Sequence, residues 1–239
     1  MFEPVKRVKT SEQVLKQIQA RIFDGTYKAG DRLPSERELS LEMGVNRNTL
    51  REALKKLEHM GLVITRQGDG TRVLDFYDNA GIEVLGSMLL DEAESDGRVI
   101  DNLFEAREMV GKALARSAAL YREEEDLERL RAVVEEITSE MELQEVQRLE
   151  YVFFHELAVS SHNLFYIFMV NSIKKVYMSF RDLYAATSRD TGKIQELLAS
   201  VVEAVERGSA GDAVKAMRKY LSYGKRLMFK TLKMPMRRK

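Results

Sequence analysis

The residues that interrupt helices are unevenly distributed along this chain. Its only prolines are Pro4, Pro34 and Pro235, and no glycine occurs between Gly111 and Gly192. Glycine and proline are the residues that most strongly end or break regular structure, so the long stretch without them favours long helices. Six glycines lie between residues 25 and 70, a pattern typical of short elements joined by turns. The distribution therefore predicts a chain with two differently built parts.

Composition limits the class of protein. The chain has 239 residues, 44% hydrophobic and 32% charged, which is typical of a globular protein large enough to bury a core. No apolar run approaches the roughly 18 residues of a membrane-spanning helix, and the sequence MFEPVKRVKT lacks the apolar stretch of a secretory signal. The absence of cysteine excludes disulfides, thiolate metal sites and cysteine nucleophiles. We expect a cytoplasmic protein without a membrane partner.

The net charge of zero is a cancellation between segments. Residues 1–72 hold 14 basic and 10 acidic side chains, a net charge of +4. Residues 77–224 hold 17 basic and 27 acidic side chains, a net charge of −10, and the last fifteen residues hold seven basic side chains and no acid. Such asymmetry is a weak indication of nucleic-acid contact at the basic ends. Ordinary solvated surfaces would produce the same pattern.

The first 75 residues carry a helix-turn-helix pattern. Apolar residues recur at helical spacing over Ser11–Asp24, which predicts an amphipathic helix. Ser35 and Glu38 form a capping box that begins a second helix. A turn at Gly44 separates this helix from a third one, which Asn46 caps and which extends to residue 60. A turn of this length places two helices in the arrangement of many DNA-binding domains.

A β-hairpin is predicted directly after the third helix. The β-prone runs 62–66 and 71–74 flank the turn sequence Gln-Gly-Asp-Gly at 67–70. Arg47, Asn48, Thr49 and Arg51 occupy the first turns of the third helix. Arginine can bond guanine in two places, asparagine can do the same with adenine, and the threonine hydroxyl suits phosphate. Helices, turn and wing in this order predict a winged-helix DNA-binding domain.

The same residues closely resemble a known family. The sequences LPSERELS at 33–40 and RNTLREAL at 47–54, followed by Gly61-Leu62, resemble the winged-helix domain of GntR-type bacterial transcription regulators over residues 10–74. The resemblance implies that Arg37, Arg47 and Arg51 are the main operator contacts. It adds residues at the start of the second helix, beside these arginines and at the wing tip: Ser35, Glu36, Asn46, Asn48, Thr49, Gln67 and Gly68.

The second part of the chain is predicted to be a helical bundle. Apolar stripes recur over the stretches 103–120, 127–141, 151–159, 164–184, 194–205 and 213–228. These stretches are similar to the all-helical effector domain of the FadR subfamily. The resemblance rests on Phe76, Gly81 to Leu85, Leu103, Ala106-Arg107, Leu149-Glu150-Tyr151, Phe154, Ser161-His162-Asn163, Lys174, Tyr177 and Arg218-Lys219-Tyr220. It implies six or seven helices, a homodimer and a small-molecule pocket inside the bundle.

Polar residues on otherwise apolar helix faces indicate where a ligand could bind. They are Asn102, Arg107, Asn171, Lys174 and Tyr220, and each could equally form a hydrogen bond between helices. The resemblance to the acyl-CoA-responsive members of the subfamily implies a long-chain acyl-CoA effector and adds Tyr177, Gly224 and Met228. Those members carry serine and tryptophan at the last two positions. Nucleotide phosphates would require cationic residues, for which the candidates are Arg107, Lys174, Arg218 and Lys225.

A metal ion is not expected in the bundle. Most relatives with this kind of bundle hold a metal through one aspartate and three histidines. This chain has only His59, His155 and His162, and His59 lies in the predicted third helix of the DNA-binding domain. Tyr151 stands four residues before His155, where those relatives have aspartate, and Tyr220 stands where they have a further histidine. A three-histidine site therefore cannot be built, and no cofactor is predicted.

We conclude that the sequence predicts a mainly α protein. A winged helix-turn-helix domain at 1–75 is followed by a linker helix at 76–90 and an all-α ligand-binding and dimerisation domain at 91–239. The expected function is that of a dimeric, ligand-responsive transcription regulator on a near-palindromic operator. A regulator that senses a different organic ligand and a constitutive DNA binder with an inert bundle are the alternatives. An enzyme is not expected, because no Ser/His/Asp constellation, phosphate loop or dense carboxylate pair occurs.

Overall fold

The computed structural model describes residues 10–86, 88 and 98–234, apart from the side chain of residue 98. The chain forms two compact units, Met1–Asp91 and Glu92–Lys239. The first contains short helices and a hairpin, and the second is helical, so the predicted fold class is confirmed. Among the described helices, none combines the length and the apolar character needed to cross a membrane.

Three helices form the body of the first unit. Helix α1 spans Thr10–Phe23, α2 spans Glu36–Glu42 and α3 spans Arg47–His59. Their apolar faces meet in a common core because side chains three and four positions apart lie on the same side of a helix. The core residues from these helices include Val14, Ile18, Leu39, Leu50 and Leu57.

The predicted wing is present as an antiparallel hairpin. Strand β1, Val63–Arg66, pairs with β2, Gly70–Val73, in a register that places Val63 opposite Val73. The extended link before α2 pairs with β2 along the edge of the hairpin. Leu33 N–H donates to the Thr71 carbonyl and Val73 N–H donates to the Asp31 carbonyl, each at 2.9 Å. The wing is thereby tied by backbone hydrogen bonds to the segment that leads into α2.

The segment after the wing is not one continuous helix over its described residues. Helix α4 comprises only Phe76–Asn79, and a 3₁₀ turn follows at Ile82–Val84. Between them Ala80 adopts an extended conformation with ψ of 141°. Val84 is buried in the core of the first unit and Met88 packs against it. Part of the segment predicted as a linker therefore belongs to the first unit, and most of residues 87–97 lie outside the described residues.

Seven helices make up the second unit over its described residues. They are α5 (Arg98–Tyr121), α6 (Glu124–Glu136), α7 (Leu143–Val159), α8 (Leu164–Ser179), α9 (Arg181–Ala185), α10 (Thr191–Glu206) and α11 (Ala210–Thr231). The predicted stretch 164–184 is divided into two helices at Phe180, whose ψ of 11° departs from helical values. Helix α6 ends earlier than its apolar stripe suggests, because Ile137 is extended with ψ of 117°.

Candidate DNA interface and effector site

The start of α3 presents polar side chains to solvent. Asn46 caps the helix, and its Oδ1 accepts a hydrogen bond from the Thr49 backbone N–H at 2.9 Å. Arg47, Asn48 and Arg51 are exposed, whereas Leu50 on the opposite face is buried. The cap fixes where the helix begins, so the sequence directs three long polar side chains outward from its first turns. Such an end fits the major groove of DNA.

The start of α2 is held by the predicted capping box. Glu38 N–H donates to Ser35 Oγ at 3.3 Å, and Ser35 N–H donates to Glu38 Oε2 at 2.8 Å. Hydrogen bonding from the Ser35 side chain and backbone N–H to the Glu38 carboxylate lowers the pKa of Glu38, because it favours the charged form. Arg37 follows the cap and is exposed. The box therefore places Arg37 on a rigid first turn.

An ion pair joins two of the predicted DNA-contacting residues. Arg51 Nε of α3 donates to Glu36 Oε2 of α2 at 2.7 Å. Both side chains remain partly exposed, so water screens the pair and it contributes little to stability. Its consequence is geometric, because the pair holds the Arg51 guanidinium beside the start of α2.

The wing tip carries the remaining predicted DNA contacts. Gln67 and Gly68 are exposed between the two strands. Behind them Arg72 donates to both carboxylate oxygens of Asp69, through Nε at 2.7 Å and Nη2 at 2.9 Å. The hydrogen bonds from Arg72 lower the pKa of Asp69. Arg72 is therefore neutralised within the wing and is less suited to phosphate than the exposed arginines.

The structure adds two arginines that the sequence analysis did not select. A cleft of about 310 Å³ lies between the start of α2 and the wing, and Arg32 and Arg66 line it together with Ser35 and Gly68. Both arginines are exposed, and among the described residues neither has a carboxylate within ion-pair distance. They stand 34 positions apart in the chain, so only the pairing of the extended link with β2 reveals that they share a surface.

In the second unit, an ion pair is buried in the bundle core. The side chain of Glu150 from α7 is 0% exposed, and that of Arg189, just before α10, is 2% exposed. Arg189 Nη1 lies 3.6 Å from Glu150 Oε1. Glu150 also accepts hydrogen bonds from the Tyr220 hydroxyl at 2.6 Å and from the Tyr177 hydroxyl at 3.0 Å. A buried carboxylate is tolerable when it is paired and hydrogen-bonded in this way.

Arg107 of α5 completes this cluster. Its Nη2 donates to the Tyr220 hydroxyl at 3.2 Å. The guanidinium carbon lies 5.3 Å, 5.5 Å and 5.8 Å from the ring centroids of Phe154, Tyr177 and Tyr220, which are distances for cation–π contact. The cluster therefore joins α5, α7, α8 and α11.

The phenols of the cluster are held in their protonated form. Burial, and after it the negative charge of Glu150, raises the pKa of Tyr177 and of Tyr220 above the usual value. The pKa of Tyr184 is raised by the same two causes. All three hydroxyls are therefore hydrogen-bond donors at neutral pH.

The predicted effector residues divide into three groups. Arg107, Tyr177 and Tyr220 meet in the buried cluster, and Gly224 lies against it, because a Cβ there would be 3.4 Å from Arg189 Nη1. Asn171 accepts a hydrogen bond from the Tyr151 hydroxyl at 3.2 Å, and Lys174 Nζ lies 5.2 Å from the Tyr151 ring centroid. The remainder lie elsewhere: Asn102 is exposed, Met228 is buried, Lys225 pairs with Asp101, and Arg218 is 3.7 Å from Glu108.

Sequence reasoning missed Glu150, Arg189 and Tyr184 as members of this cluster. Charged residues are frequent in helices, and nothing in the local sequence distinguishes a buried glutamate from its exposed neighbours. The one available signal was that Glu150 stands four residues before Phe154, on the same helix face as an apolar side chain. Its partner Arg189 comes from a loop, where helical spacing gives no guidance.

The histidines do not fit a metal centre. His155 Nδ1 lies 3.4 Å from Glu156, and His162 Nε2 lies 3.1 Å from Asp126. Tyr151 bonds Asn171 instead of supplying a carboxylate, and Tyr220 donates to Glu150. Across residues 10–86, 88 and 98–234, no three histidine or acidic side chains are grouped as a metal ion requires.

Comparison with known families gives a match over nearly all of the chain. Residues 10–73 match the model for bacterial regulatory proteins of the gntR family, and residues 74–238 match the model of the FadR C-terminal domain. The solved structure of Lar from Listeria monocytogenes is 20% identical with a TM-score of 0.62, and the match covers 95% of this chain and 99% of that chain. At this identity the likeness supports the fold alone.

Curated relatives align with this chain over about three quarters of its length. The HTH-type transcriptional regulator Mce2R of Mycobacterium tuberculosis is 34% identical over 176 residues, which cover 74% of this chain and 73% of that protein. A fatty acid metabolism regulator protein of Shewanella baltica is 32% identical over 174 residues, 72% of this chain and 71% of that protein. These relatives are transcription regulators and not enzymes. The chain belongs to the GntR family of DNA-binding bacterial transcription regulators, with a ligand-binding C-terminal domain of the FadR type.

Proposed function

We propose that this regulator acts in the cytoplasm as a homodimer on a near-palindromic double-stranded DNA operator, and that an effector bound in the helical bundle changes its affinity for that operator. The observation that carries the proposal is the rigid, capped start of α3, from which Arg47, Asn48 and Arg51 point into solvent. Two such winged-helix domains related by twofold symmetry would each contact one half of the operator.

Base contacts and phosphate contacts fall to different residues. Arg37, Arg47 and Arg51 lie on capped helix starts, where a guanidinium can be aimed at a guanine edge. Asn48 suits adenine, whereas Thr49, Gln67 and the backbone of Gly68 suit phosphate or the minor groove. Arg32 and Arg66, in the cleft between α2 and the wing, suit the phosphate backbone, because they are exposed and have no carboxylate partner among the described residues.

A titration of operator DNA tests the DNA-binding role. The full chain is titrated with DNA from upstream of its own gene, by fluorescence anisotropy at several salt concentrations. Loss of one bidentate base contact costs about 1–3 kcal/mol, so Arg47→Ala should weaken binding roughly 5- to 150-fold. Lys55→Ala, an exposed residue farther along the same helix, is the matched control. Equal affinity of Arg47→Ala and the parent, with no salt dependence, would exclude α3 as the reading helix.

The homodimer is supported by an apolar surface on α8. Leu164, Phe165 and Phe168 are 65%, 84% and 61% exposed. Large apolar side chains grouped on a surface mark contact sites for other proteins, and closed twofold dimers are the commonest homo-oligomers. Sedimentation of Phe165→Glu tests this, with Met109→Glu, another exposed apolar site, as control. We expect a monomer for the first variant and the parent's oligomeric state for the second.

Two effector classes are supported by different observations. The relatives described as fatty acid metabolism regulators favour a long-chain acyl-CoA. The charged, hydrogen-bonded interior around Glu150 and Arg107 favours an organic ligand with a polar head. Thermal-shift measurements with acyl-CoAs, free acids and divalent metals separate them, because a ligand that binds only the folded state raises Tm. A flat response to all of them would favour a constitutive DNA binder with an inert bundle.

A further inference from the structure

The buried cluster of the bundle carries a surplus positive charge. Two guanidinium groups, Arg107 and Arg189, share one carboxylate, Glu150. The three phenols are neutral at physiological pH, since an unperturbed tyrosine has a pKa of about 10 and burial raises the pKa of each of them further. The cluster therefore has a net charge of +1. The side of the cluster that carries Arg107 is only half-buried, so water partly solvates this charge, and an anionic group bound there would neutralise it.

The surplus charge resides on Arg107. Glu150 is already paired with Arg189 at 3.6 Å, and its two oxygens accept from Tyr220 and Tyr177. The hydrogen-bond acceptor of Arg107 is the neutral Tyr220 hydroxyl at 3.2 Å. No carboxylate among the described residues forms an ion pair with Arg107. A guanidinium has five N–H donors, and the remaining nitrogens of Arg107 are not among the buried atoms without a partner, so they can bond a ligand that replaces water.

A second donor of the cluster has no partner. Tyr184 is 3% exposed, and its hydroxyl is buried without a hydrogen bond. The guanidinium carbon of Arg189 lies 4.0 Å from the Tyr184 ring centroid, which places the phenol against the same ion pair. A buried hydroxyl without an acceptor costs free energy. The Arg107 guanidinium favours an acceptor with negative charge, and the Tyr184 hydroxyl can donate to any acceptor that reaches it.

The cluster is open to solvent on the Arg107 side. Arg107, Phe154 and Tyr177 are half-buried, whereas Glu150 and Tyr220 are buried. A ligand that entered on that side would meet the aromatic faces of Phe154 and Tyr177 and the free donors of Arg107. This combination suits an apolar body that ends in an anionic group.

We propose that the helical bundle binds a carboxylate ligand with an apolar body, whose carboxylate is held by the Arg107 guanidinium with the Tyr184 hydroxyl as a second donor. The inference rests on the proposed function in one respect, since it takes the bundle to be an effector domain. A planar carboxylate matches the fork of a guanidinium and neutralises the surplus charge. Binding would tie α5, which carries Arg107, more firmly to α7, α8 and α11.

The ligand class differs from an acyl-CoA in where its charge lies. An acyl-CoA carries its charge on nucleotide phosphates and has a neutral thioester at the acyl end. Gly224, at which the resemblance places an acyl-CoA contact, lies beside the Arg189 guanidinium. An acyl tail there would meet the ion pair instead of an apolar surface. A free carboxylate instead brings its charge to the surplus guanidinium.

Calorimetric titration of the full chain with decanoate, 1-decanol and decanoyl-CoA tests the proposal. The alcohol has the same chain length and no charge, so the comparison needs no variant. We expect decanoate to bind at least about ten-fold more tightly than 1-decanol, since hydrogen bonds to a charged group are worth a factor of roughly 10–100. Equal affinity for the acid and the alcohol would overturn the proposal.

Variants then assign the residues. Arg107→Met should weaken decanoate binding by about 10- to 100-fold and leave 1-decanol unaffected. Arg116→Met, an exposed arginine on the same helix, should bind decanoate like the parent. Arg107→Lys keeps the positive charge but not the forked geometry of the guanidinium. It replaces Arg107→Met in this binding test if the methionine variant does not fold. Decanoate binding by Arg107→Met at the parent's affinity would exclude the assignment.

Tyr184→Phe separates a ligand role from a packing role. Removal of the unpartnered hydroxyl should raise the Tm of the free protein and weaken decanoate binding several-fold. A raised Tm with unchanged affinity would remove Tyr184 from the site. If decanoyl-CoA binds and releases operator DNA while decanoate does not bind, the carboxylate site is wrong and the proposed effector function stands. If none of these ligands binds, the carboxylate site is likewise wrong, and the dependence of operator binding on Arg47 still tests the DNA-binding role.

Discussion

The buried Glu150–Arg189 pair gives the most direct test of how the bundle core is stabilised. Glu150→Gln keeps the size and hydrogen-bonding shape of the side chain and removes its charge. Arg189, with a side chain 2% exposed, and Arg107 would then be left without a buried counter-charge. Breaking one partner of a buried pair typically costs about 3–5 kcal/mol of unfolding free energy. For a protein of this size that corresponds to a fall in Tm of roughly 6–20 °C.

Urea unfolding followed by circular dichroism measures this cost. The matched control is Glu203→Gln, which removes a carboxylate 3.9 Å from Arg207 in a pair with 58% and 67% exposed side chains. Solvent screens such a pair, so the control should change the unfolding free energy by less than about 0.5 kcal/mol. The contrast between the two variants isolates burial, because the chemical change is identical.

A double-mutant cycle identifies the partner. Arg189→Met is combined with Glu150→Gln, so that both charges of the pair are absent. Replacing both members of a buried pair by uncharged side chains is often close to neutral, and we expect a coupling free energy of about 2 kcal/mol or more between the two sites. A loss of less than about 1 kcal/mol for Glu150→Gln, or a double variant as unstable as the sum of the single variants, would show that the buried pair does not stabilise the core in this way.

Three further predictions concern other features of the chain. Gly61→Ala should destabilise the first unit far more than Gly25→Ala: both glycines have positive φ, but a Cβ at Gly61 would overlap the Asn79 carbonyl oxygen and one at Gly25 would meet nothing within 4 Å. Chemical denaturation should give about 1–2 kcal/mol for Gly25→Ala, and equal costs would contradict the contact. Burial, and after it the neighbouring carboxylate, raises the pKa of the cluster's phenols, so the folded state retains their protons more tightly than the unfolded state. Their contribution to the free energy of unfolding is therefore fully present below about pH 10 and is lost above it. Tyr220→Phe should make that decline shallower by up to about 1.4 kcal/mol per pH unit; identical slopes between pH 8 and 11 would speak against it. Ser35→Ala removes the cap of α2 and should lower the unfolding free energy by about 1 kcal/mol, with a smaller loss for Ser35→Asp, since aspartate also caps; equal losses for both would argue against the cap.

The winged helix could be predicted closely because its signals are local. The capping box at Ser35 and the cap at Asn46 each connect residues three positions apart, and both are present as predicted. The hairpin follows from a short Gly-rich turn between β-prone runs, and it formed over Val63–Val73. Interactions between near neighbours do not depend on the rest of the fold, so the sequence itself contains the information.

The sequence predicted that the second part of the chain is a helical bundle, but it did not predict which side chains meet inside that bundle. Apolar periodicity predicted one continuous helical stretch over residues 164–184, but in the structure Phe180 separates α8 from α9. A helix end of this kind depends on packing with other helices, which periodicity does not report. The predicted effector residues were chosen as polar side chains on apolar faces, and Asn102 is exposed while Arg107 and Tyr220 are hydrogen-bonded to each other.

The sequence by itself thus determined the two-part chain and the capped helices of the DNA-binding unit, because composition and short spacing fix these properties. Only the tertiary structure decided which charges are buried together. Glu150, Arg189 and Arg107 come from segments about 40 and 80 residues apart, and they meet because two helices and a loop from distant parts of the chain pack together. The free energy of a buried charge depends on its neighbours in space, so no reading along the chain could identify the surplus positive charge in the bundle.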